Sequence, residues 1–379
     1  MAGKIKILKN IDYILVLSTI SLLALSLIIL ASASSNATTD PNFYLNKHIR
    51  NILIGMPFLI LTVTIPYDIF MRLHKVLYGV NIGLLLLVLI FGREVNGAVS
   101  WIYLGSFSFQ PSEIAKILYI LTFASYLAKN EGKLQSLLSI LKCFFYLTPL
   151  LLLLLMQPDL GTALVFIAIT IVMMFIAGAN PKILFALCFA GIFAIVIWIY
   201  AHLNFGVYLP LKKYQLMRLI VFLNPYNDGS GGLDAGYNII QSLVAIGSGG
   251  LTGKGLFTGT QSQLSFLPFP YTDFIFSVIG EELGFFGANL IFGLYLIFIF
   301  RGIRIAYTAR DLYGSLIVTG FLGMMCFHIL ENVGMTVSMM PITGIPMPFF
   351  SYGGTNMWAN LMGVGLCLNV YLRKKQLKF

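Results

Sequence analysis

The sequence predicts an all-α integral membrane protein with ten transmembrane helices. Its 379 residues are 58% hydrophobic and only 10% charged, and the mean hydropathy is +0.89. These values exclude an ordinary soluble domain. Several apolar runs approach the roughly 20 residues that cross a bilayer as a helix. The runs are 13–33, 51–66, 76–92, 112–128, 137–156, 160–177, 182–203, 273–300, 313–340 and 350–371. We expect residues 1–379 to form a single polytopic membrane domain.

The first run could be mistaken for a signal peptide. It follows three lysines and ends at Ala31-Ser-Ala33, which resembles a small-residue cleavage site. Its apolar stretch is longer than the roughly 7–15 residues of a signal core. An uncleaved transmembrane helix is therefore favoured.

The fifth run decides the orientation, because Lys142 interrupts it. With ten spans and a cytoplasmic N-terminus, most Lys and Arg residues fall in cytoplasmic loops, whereas loss of the fifth span divides them evenly. Cytoplasmic loops normally carry the excess, so we keep ten spans and place both termini in the cytoplasm. The net charge of +10 then indicates membrane lipids with anionic headgroups as partners. Nucleic acid binding is not expected, since no basic run is interleaved with aromatic residues.

A large extracytoplasmic loop, residues 204–272, is predicted between spans 7 and 8. Within it, residues 224–234 are rich in turn-forming residues, and apolar positions in 237–246 recur with helical spacing. A second irregular segment, 341–354, separates the last two spans and contains several prolines and glycines. Irregular backbone at this depth is tolerated only where it is buried or lines a wet cavity. A tight turn between two helices is one interpretation of 341–354, and a cavity wall is the favoured one.

Asp273 begins the eighth apolar run and is the first candidate for chemistry. A carboxylate at a membrane boundary is costly, so such a residue is a functional-site candidate by default. Glu113, Lys116 and Arg218 fall on the same predicted side, which indicates a polar cavity open to the outside. Glu113 and Lys116 are three residues apart on a helix and can pair. Asp159 is either a helix N-cap or a substrate contact.

The spacing of the acidic residues favours a mechanism with a single base. Asp273 and Glu281 are eight residues apart, or roughly 12 Å along a helix, which exceeds the about 5–9.5 Å of a hydrolytic carboxylate pair. Asp273 is thus a candidate general base, with Lys116 and Arg218 available to stabilise an anionic leaving group. The four histidines are too scattered for a recognisable metal site. A proton-coupled transporter that uses intramembrane acids remains open at this point.

Several motifs resemble those of the SEDS family of bacterial envelope proteins, and the resemblance covers nearly all spans. The stretch 259–268 is similar to the elongation branch of that family rather than to the division branch. The motifs are Trp101-Ile-Tyr-Leu-Gly105, Gln110-Pro-Ser-Glu-Ile-Ala-Lys116, Gln157-Pro-Asp-Leu-Gly-Thr162, Tyr214-Gln-Leu-Met-Arg218, Gly236-Tyr-Asn-Ile-Ile-Gln-Ser242, Thr272-Asp-Phe-Ile-Phe276, Gly280-Glu-Glu-Leu-Gly284 and Ser351-Tyr-Gly-Gly354.

The resemblance implies a ten-span peptidoglycan glycosyltransferase of the bacterial cytoplasmic membrane. Such an enzyme polymerises lipid II at the outer membrane face, with undecaprenyl-linked glycan as its product and a class B penicillin-binding protein as its partner. Asp273 matches the family's catalytic Asp and would act as base in an inverting transfer that releases undecaprenyl pyrophosphate. Substrate-binding residues expected from the resemblance and the residue patterns are Glu113, Lys116, Asp159, Arg218, Gln261 and Ser262. A divalent cation, Mg²⁺ or Mn²⁺, is the one cofactor considered, and its ligands are not identified.

The chain departs from the family pattern just before Asp273. Phe269-Pro-Tyr271 replaces a segment in which an acidic residue and a His are usual, so Tyr271 is left to supply any hydrogen bond there. Two other functions remain as alternatives. A lipid II flippase or other transporter would use the same cavity, and a non-catalytic scaffold of the elongation machinery would tolerate loss of Asp273.

Overall fold

The computed structural model describes residues 11–95, 98–105, 107–208, 212–234 and 236–374. Helices dominate this part of the chain. They are α1 Tyr13–Ala33, α2 Phe43–Thr64, α3 Tyr67–Arg72, α4 His74–Phe91, α5 Pro111–Lys129, α6 Leu137–Met156, α7 Leu160–Ile176, α8 Pro181–Phe205, α9 Lys213–Leu223, α10 Tyr237–Gly249, α11 Thr260–Gln263, α12 Ile275–Tyr307, α13 Leu312–Thr336 and α14 Gly354–Leu372. The strands are β1 Arg93–Val95, β2 Ala98–Leu104 and β3 Phe107–Phe109.

Each of the ten apolar runs falls on a helix, but the helices differ in how well they suit a bilayer. Within the described residues, six are long and apolar enough to cross a membrane. These six are α1, α4, α6, α12, α13 and the segment Pro181–His202 of α8. The fold is therefore that of a mostly helical protein with several apolar helices.

A small antiparallel sheet was missed by the prediction of an all-α chain. Its strand order is β1-β2-β3, with Arg93 opposite Trp101 and Ile102 opposite Phe109. The sheet is attached to the helices, because the Val99 amide donates to the Gln157 carbonyl at 3.1 Å. Two of its strands have only three residues, which is too short for an alternating pattern to stand out between two long apolar runs.

The bundle has a buried centre and an exposed edge. The most apolar window of α13 is 72% buried, whereas that of α8 is 6% buried, so α13 is a core helix and α8 presents apolar side chains outward. Small residues permit close helix contacts. A Cβ at Gly363 would collide with the ring of Phe321, and a Cβ at Gly365 would collide with the hydroxyl of Thr62.

Helix α12 is broken at Gly284, whose φ of 65° and ψ of −163° lie outside the helical region. The amides of Phe285 and Phe286 donate to the carbonyls of Gly250 and Leu251 at 3.0 and 3.1 Å. The carbonyls of Glu281 and Glu282 accept from Lys254 and Gly255 at 3.0 and 2.9 Å. Two helical hydrogen bonds are thus replaced by four bonds to loop 249–255, which satisfies the backbone groups that the break exposes.

The region 204–272 contains helices α9, α10 and α11. The helix predicted at 237–246 is confirmed as α10. The turn-rich segment before it is organised by Asp228, whose carboxylate accepts from the amides of Ser230, Gly232, Asp234 and Gly236 at 2.8–3.2 Å. These amides, that of Gly232 first, hold the pKa of Asp228 well below its usual range. The Asp228 carboxylate therefore fixes the backbone conformation of a segment that has no regular secondary structure.

Candidate active site

One cavity of about 480 Å³ collects most of the residues singled out in the sequence. Its wall combines the sheet, the helix ends at α5, α7 and α9, the turn before α12 and segment 341–354. Polar and charged residues contribute much of the lining, namely Ser100, Gln110, Glu113, Lys116, Asp159, Thr162, Gln215, Arg218, Asp273 and Thr343. The volume is in the range of sites for a single small ligand, roughly 300–1,000 Å³.

Asp273 lies in the turn that precedes α12, and its carboxylate has no hydrogen-bond or ion-pair partner within the described chain. The backbone around it is firmly held. The side-chain amide of Asn332 donates through Nδ2 to the backbone carbonyl of Asp273 at 2.9 Å. The Ser351 hydroxyl donates to the backbone carbonyl of Thr272 at 2.7 Å. Burial raises the pKa of the Asp273 carboxyl, and the charge of Arg218 opposes that rise. A positioned carboxylate with a raised pKa is suited to accept a proton.

Lys116 belongs to a buried polar cluster at the cavity wall. Its ammonium group lies 2.9 Å from Glu113 Oε1 and 3.1 Å from His328 Nε2, which confirms the predicted Glu113–Lys116 pair. Lysine only donates, so His328 Nε2 accepts and the ring is neutral with its proton on Nδ1. Two of the three N–H groups of Lys116 are thus used by these partners. The ammonium remains a positive charge at the cavity wall.

Arg218 enters the cavity from α9. This helix is attached to the junction of α6 and α7, because Tyr214 Oη and Gln215 Nε2 each donate to the Pro158 carbonyl at 3.1 Å. The guanidinium of Arg218 lies 5.5 Å from the centre of the Tyr214 ring, and it forms no ion pair with any described carboxylate. Its charge is therefore available to an anionic ligand.

Asp159 is both a helix cap and a cavity residue. Its carboxylate accepts from the Thr162 amide at 3.0 Å and from the Thr162 hydroxyl at 2.8 Å, so the N-cap reading is confirmed. Asp159 also lines the cavity, and Ser100 Oγ donates to it at 3.3 Å. These hydrogen bonds join Asp159 to the start of α7 and to the sheet, so its role is to hold this part of the cavity wall in shape.

Segment 341–354 forms a wall of the cavity, as predicted. Residues 341–346 and 352–354 line it, and the segment is tied to the turn that carries Asp273. The Tyr352 amide donates to the Tyr271 carbonyl at 2.8 Å, and Asn332 Nδ2 donates to the Ile345 carbonyl at 2.9 Å. The prolines and glycines thus allow an irregular backbone that is satisfied by contacts inside the protein.

Gln261 and Ser262 are not brought to this cavity. The Gln261 amide donates to Glu281 Oε1 at 2.9 Å, and Ser262 Oγ donates to the Gly259 carbonyl at 3.2 Å. Glu281 also pairs with Lys254 at 2.8 Å. These residues form a separate contact between segment 254–262 and α12, and they hold that segment in place.

Two residues with evident roles escaped the sequence reading. His328 is one of four histidines that are scattered along the sequence, and its contact with Lys116 spans 212 positions. Thr343, which lines the cavity and donates to Glu331, was hidden in a segment chosen for its prolines and glycines. The one available signal was that Glu331 and His328 are three residues apart in an apolar run, so they lie on one helix face.

The residues that the structure describes around the cavity form no preformed metal centre. In the described part of the chain there is no group of three or more His, Cys, Asp or Glu side chains placed to hold a metal ion. Asp273 is a single carboxylate, and Glu113 is already paired with Lys116. A Mg²⁺ or Mn²⁺ ion at Asp273 would therefore take most of its ligands from a phosphate-bearing substrate and from water.

The chain is similar to known proteins over nearly its full length and theirs. The chain is 35% identical to the peptidoglycan glycosyltransferase RodA of Treponema pallidum (strain Nichols), over 98% of this chain and 100% of the relative. It is 37% identical to the stage V sporulation protein E of Bacillus subtilis (strain 168), over 95% and 96%. It is 33% identical to the peptidoglycan glycosyltransferase MrdB of Escherichia coli (strain K12), over 97% and 95%.

Solved structures agree with these sequence relatives. A chain of a peptidoglycan synthase complex, described as showing structural coordination of polymerization and crosslinking, matches with a TM-score of 0.77 and 30% identity, over 95% of this chain and 97% of that chain. The crystal structure of the rod shape determining protein RodA of Thermus thermophilus matches with a TM-score of 0.70 and 29% identity, over 97% and 98%. The sequence model of the FtsW/RodA/SpoVE cell cycle proteins matches residues 12–376, so the chain belongs to this family.

Proposed function

We propose that this protein is a peptidoglycan glycosyltransferase that polymerises lipid II at the outer face of the bacterial cytoplasmic membrane during cell elongation. One observation carries the proposal: an unpaired carboxylate, Asp273, shares a cavity of about 480 Å³ with the cations Lys116 and Arg218. Family membership with named glycosyltransferases supports the same reaction. A base and two cations are the groups needed to transfer a sugar from a lipid pyrophosphate.

In the proposed reaction Asp273 accepts the proton of the acceptor sugar hydroxyl. The hydroxyl oxygen attacks the anomeric carbon of the donor sugar, and the bond from that carbon to the pyrophosphate oxygen breaks with inversion. The leaving undecaprenyl pyrophosphate carries the negative charge. Lys116 and Arg218 stabilise this charge in a site where burial strengthens electrostatic interactions. Asp159 and Glu113 act through Thr162 and Lys116, whose positions they fix.

We further propose ten spans, one polytopic domain from 1 to 379, and an extracytoplasmic loop from 204 to 272. Ion pairs support the number of crossings between these helix ends, and the excess of Lys and Arg supports the cytoplasmic side. Asp12 at the start of α1 pairs with Arg301 near the end of α12 at 2.6 Å, and Asp68 pairs with Arg310 at 2.5 Å. Each pair joins helix ends at the same end of the bundle, as the ten-span arrangement requires. The basic residues there suit anionic membrane lipids.

The proposed partner is a class B penicillin-binding protein. A match to a chain of a peptidoglycan synthase complex supports this assignment. A transpeptidase beside the glycosyltransferase would cross-link strands as they leave the cavity. Loop 204–272 is the extracytoplasmic part long enough to meet such a partner.

The function is tested with purified protein and labelled lipid II, alone and with the co-expressed partner. The variants are Asp273→Ala and, as a matched control, Asp40→Ala, which removes an exposed carboxylate away from the cavity. We expect glycan chains from the native protein and the control, and none from Asp273→Ala. Chains made by folded Asp273→Ala would contradict the role of Asp273 as base. If no sample makes product, the flippase and scaffold alternatives gain weight, and movement of labelled lipid II across vesicles separates those two.

A further inference from the structure

Glu331 is a buried carboxylate of α13 that the proposed reaction does not use. The residue is 2% exposed, and it forms no ion pair within the described chain. One carboxylate oxygen accepts from the hydroxyl of Thr343, and the other, Oε2, has no hydrogen-bond partner among the described residues. An acidic side chain inside an apolar helix is costly and by default marks a functional site. The described hydrogen bond of this carboxylate leads to segment 341–346, which lines the cavity.

The first part of this wall, residues 341–345, depends on α13 for its position. Within the part of the chain that the structure describes, it forms two hydrogen bonds with the rest of the protein, and both reach neighbouring residues of α13. The Thr343 hydroxyl donates to Glu331, and Asn332 Nδ2 donates to the Ile345 carbonyl at 2.9 Å. No helix or strand supports residues 341–345. Loss of the Glu331–Thr343 bond would therefore free this backbone to shift.

Thr343 and Gly344 stand between α7 and the proposed base. A Cβ at Gly161, in the first turn of α7, would lie 3.0 Å from the Thr343 carbonyl oxygen, so the backbone already packs tightly on that side. On the other side, a Cβ at Gly344 would lie 3.5 Å from Asp273 Oδ2. Gly344 has a φ of 75°, which glycine adopts readily, and it places no side chain beside the carboxylate. The position of residues 343 and 344 therefore sets the space next to Asp273 Oδ2.

We propose that Glu331 is a positioning residue for the sugar transfer. Through Thr343 it holds the backbone of Gly344 beside Asp273, and it thereby fixes the side from which the acceptor sugar hydroxyl reaches the base. This inference rests on the proposed function, in which Asp273 accepts the proton of that hydroxyl. Alignment of the reacting atoms matters, because a misplacement of about 1 Å can lower the rate by about 10²-fold.

The position of the wall is measured first, without turnover, as the rate at which a hydrophobic carbodiimide modifies Asp273 in the purified full-length protein, followed by peptide mass spectrometry. Glu331→Ala and Thr343→Val each remove one partner of the hydrogen bond, and Thr343→Val keeps the shape of the side chain if Glu331→Ala fails to fold. Glu331→Gln and Thr343→Ser retain the acceptor and the hydroxyl, and Thr319→Val removes a hydroxyl that bonds within α13. We expect modification to be several times faster in the first two variants and near the native rate in the other three. Native rates in all folded variants, or an equal rise in Thr319→Val, overturn the positioning role, whether or not the protein is a glycosyltransferase.

Polymerisation of labelled lipid II then connects the position of the wall to the reaction. We expect Glu331→Ala and Thr343→Val to lower kcat about tenfold with KM nearly unchanged, because the substrate still binds but is misaligned. The double variant should be no worse than either single one, and Glu331→Gln and Thr343→Ser should keep most of the native activity. A native kcat in folded Thr343→Val, or additive losses in the double variant, would contradict the proposal. A failure of all samples to polymerise contradicts the proposed function, and the carbodiimide rates still decide whether Glu331 holds the wall.

Discussion

The ring of Tyr271 stacks on the ring of Tyr44, with centroids 4.1 Å apart, and their hydroxyl oxygens are 3.0 Å apart. Tyr271 is two residues before Asp273, at the place where the sequence departs from the family pattern. Tyr44 is in α2, so this contact anchors the turn that carries the proposed base to the start of the bundle. Buried aromatic pairs contribute about 0.5–1.5 kcal/mol beyond the area they bury.

Tyr271→Phe should lower kcat for lipid II polymerisation severalfold with little change in KM, because the ring still stacks but the hydroxyl contact is lost. Tyr44→Phe should have the same effect, and the double variant should be no worse than either single one. Steady-state kinetics of the three variants test this. Additive losses would show that the two hydroxyls act separately. Tyr271→Ala should also lower the melting temperature, since it removes the stacked ring.

Arg218→Gln should move the acid limb of the rate–pH profile to higher pH. Burial already raises the pKa of Asp273, and loss of the opposing charge raises it further. Because a base works only when deprotonated, the variant should lose activity at a higher pH than the native protein as the pH falls. Weaker stabilisation of the leaving group should also lower kcat by about 10²–10³ at every pH. Arg218→Lys retains the charge and is the control. An unshifted limb in Arg218→Gln, beside an active Arg218→Lys, would show that the two groups are not coupled.

Asp273→Asn should abolish activity and raise the melting temperature at neutral pH. A carboxyl group whose folded pKa is raised destabilises the folded state above its unfolded pKa, and the neutral amide removes this cost. The gain should shrink as the pH falls through the raised pKa of the folded carboxyl, because the native group then takes up its proton. Thermal unfolding in detergent, measured from neutral to acidic pH, tests this, with Asp40→Asn as the exposed control. A melting temperature that falls at neutral pH would contradict an unpaired, desolvated carboxylate.

Asp228→Asn should loosen the segment 224–236, because an amide oxygen is a weaker acceptor than a carboxylate for the four backbone amides. Limited proteolysis should cut the variant faster within this segment at pH 7. The sign of the pH effect follows from the lowered pKa of Asp228. Its stabilisation is complete above the unfolded pKa of about 3.9 and is lost as the pH falls toward the folded pKa. The two proteins should therefore converge in acid, and a gap that widens there would refute the assignment.

Local relationships in this protein were predictable from sequence, and distant ones were not. The Glu113–Lys116 pair, the Asp159 cap and helix α10 depend on spacings of three or four residues, which helix geometry fixes. Asp273 is identifiable from sequence because a carboxylate at the start of an apolar run is energetically costly and therefore marks a functional site. In contrast, the Lys116–His328 contact joins helices far apart in the chain. Gln261 and Ser262 were assigned to the site because their stretch precedes Asp273, yet their contacts are with Glu281 and Gly259.

The break at Gly284 couples the conformation of α12 to that of loop 249–255, because backbone hydrogen bonds join the two. Were the loop to leave, Glu281, Glu282, Phe285 and Phe286 would have unmatched backbone groups inside the bundle until the helix straightened and closed its own bonds. Bending of the helix and seating of the loop are therefore one cooperative event. A molecule that displaces loop 249–255 therefore also changes the path of α12, the helix that is held near its other end by the Asp12–Arg301 pair.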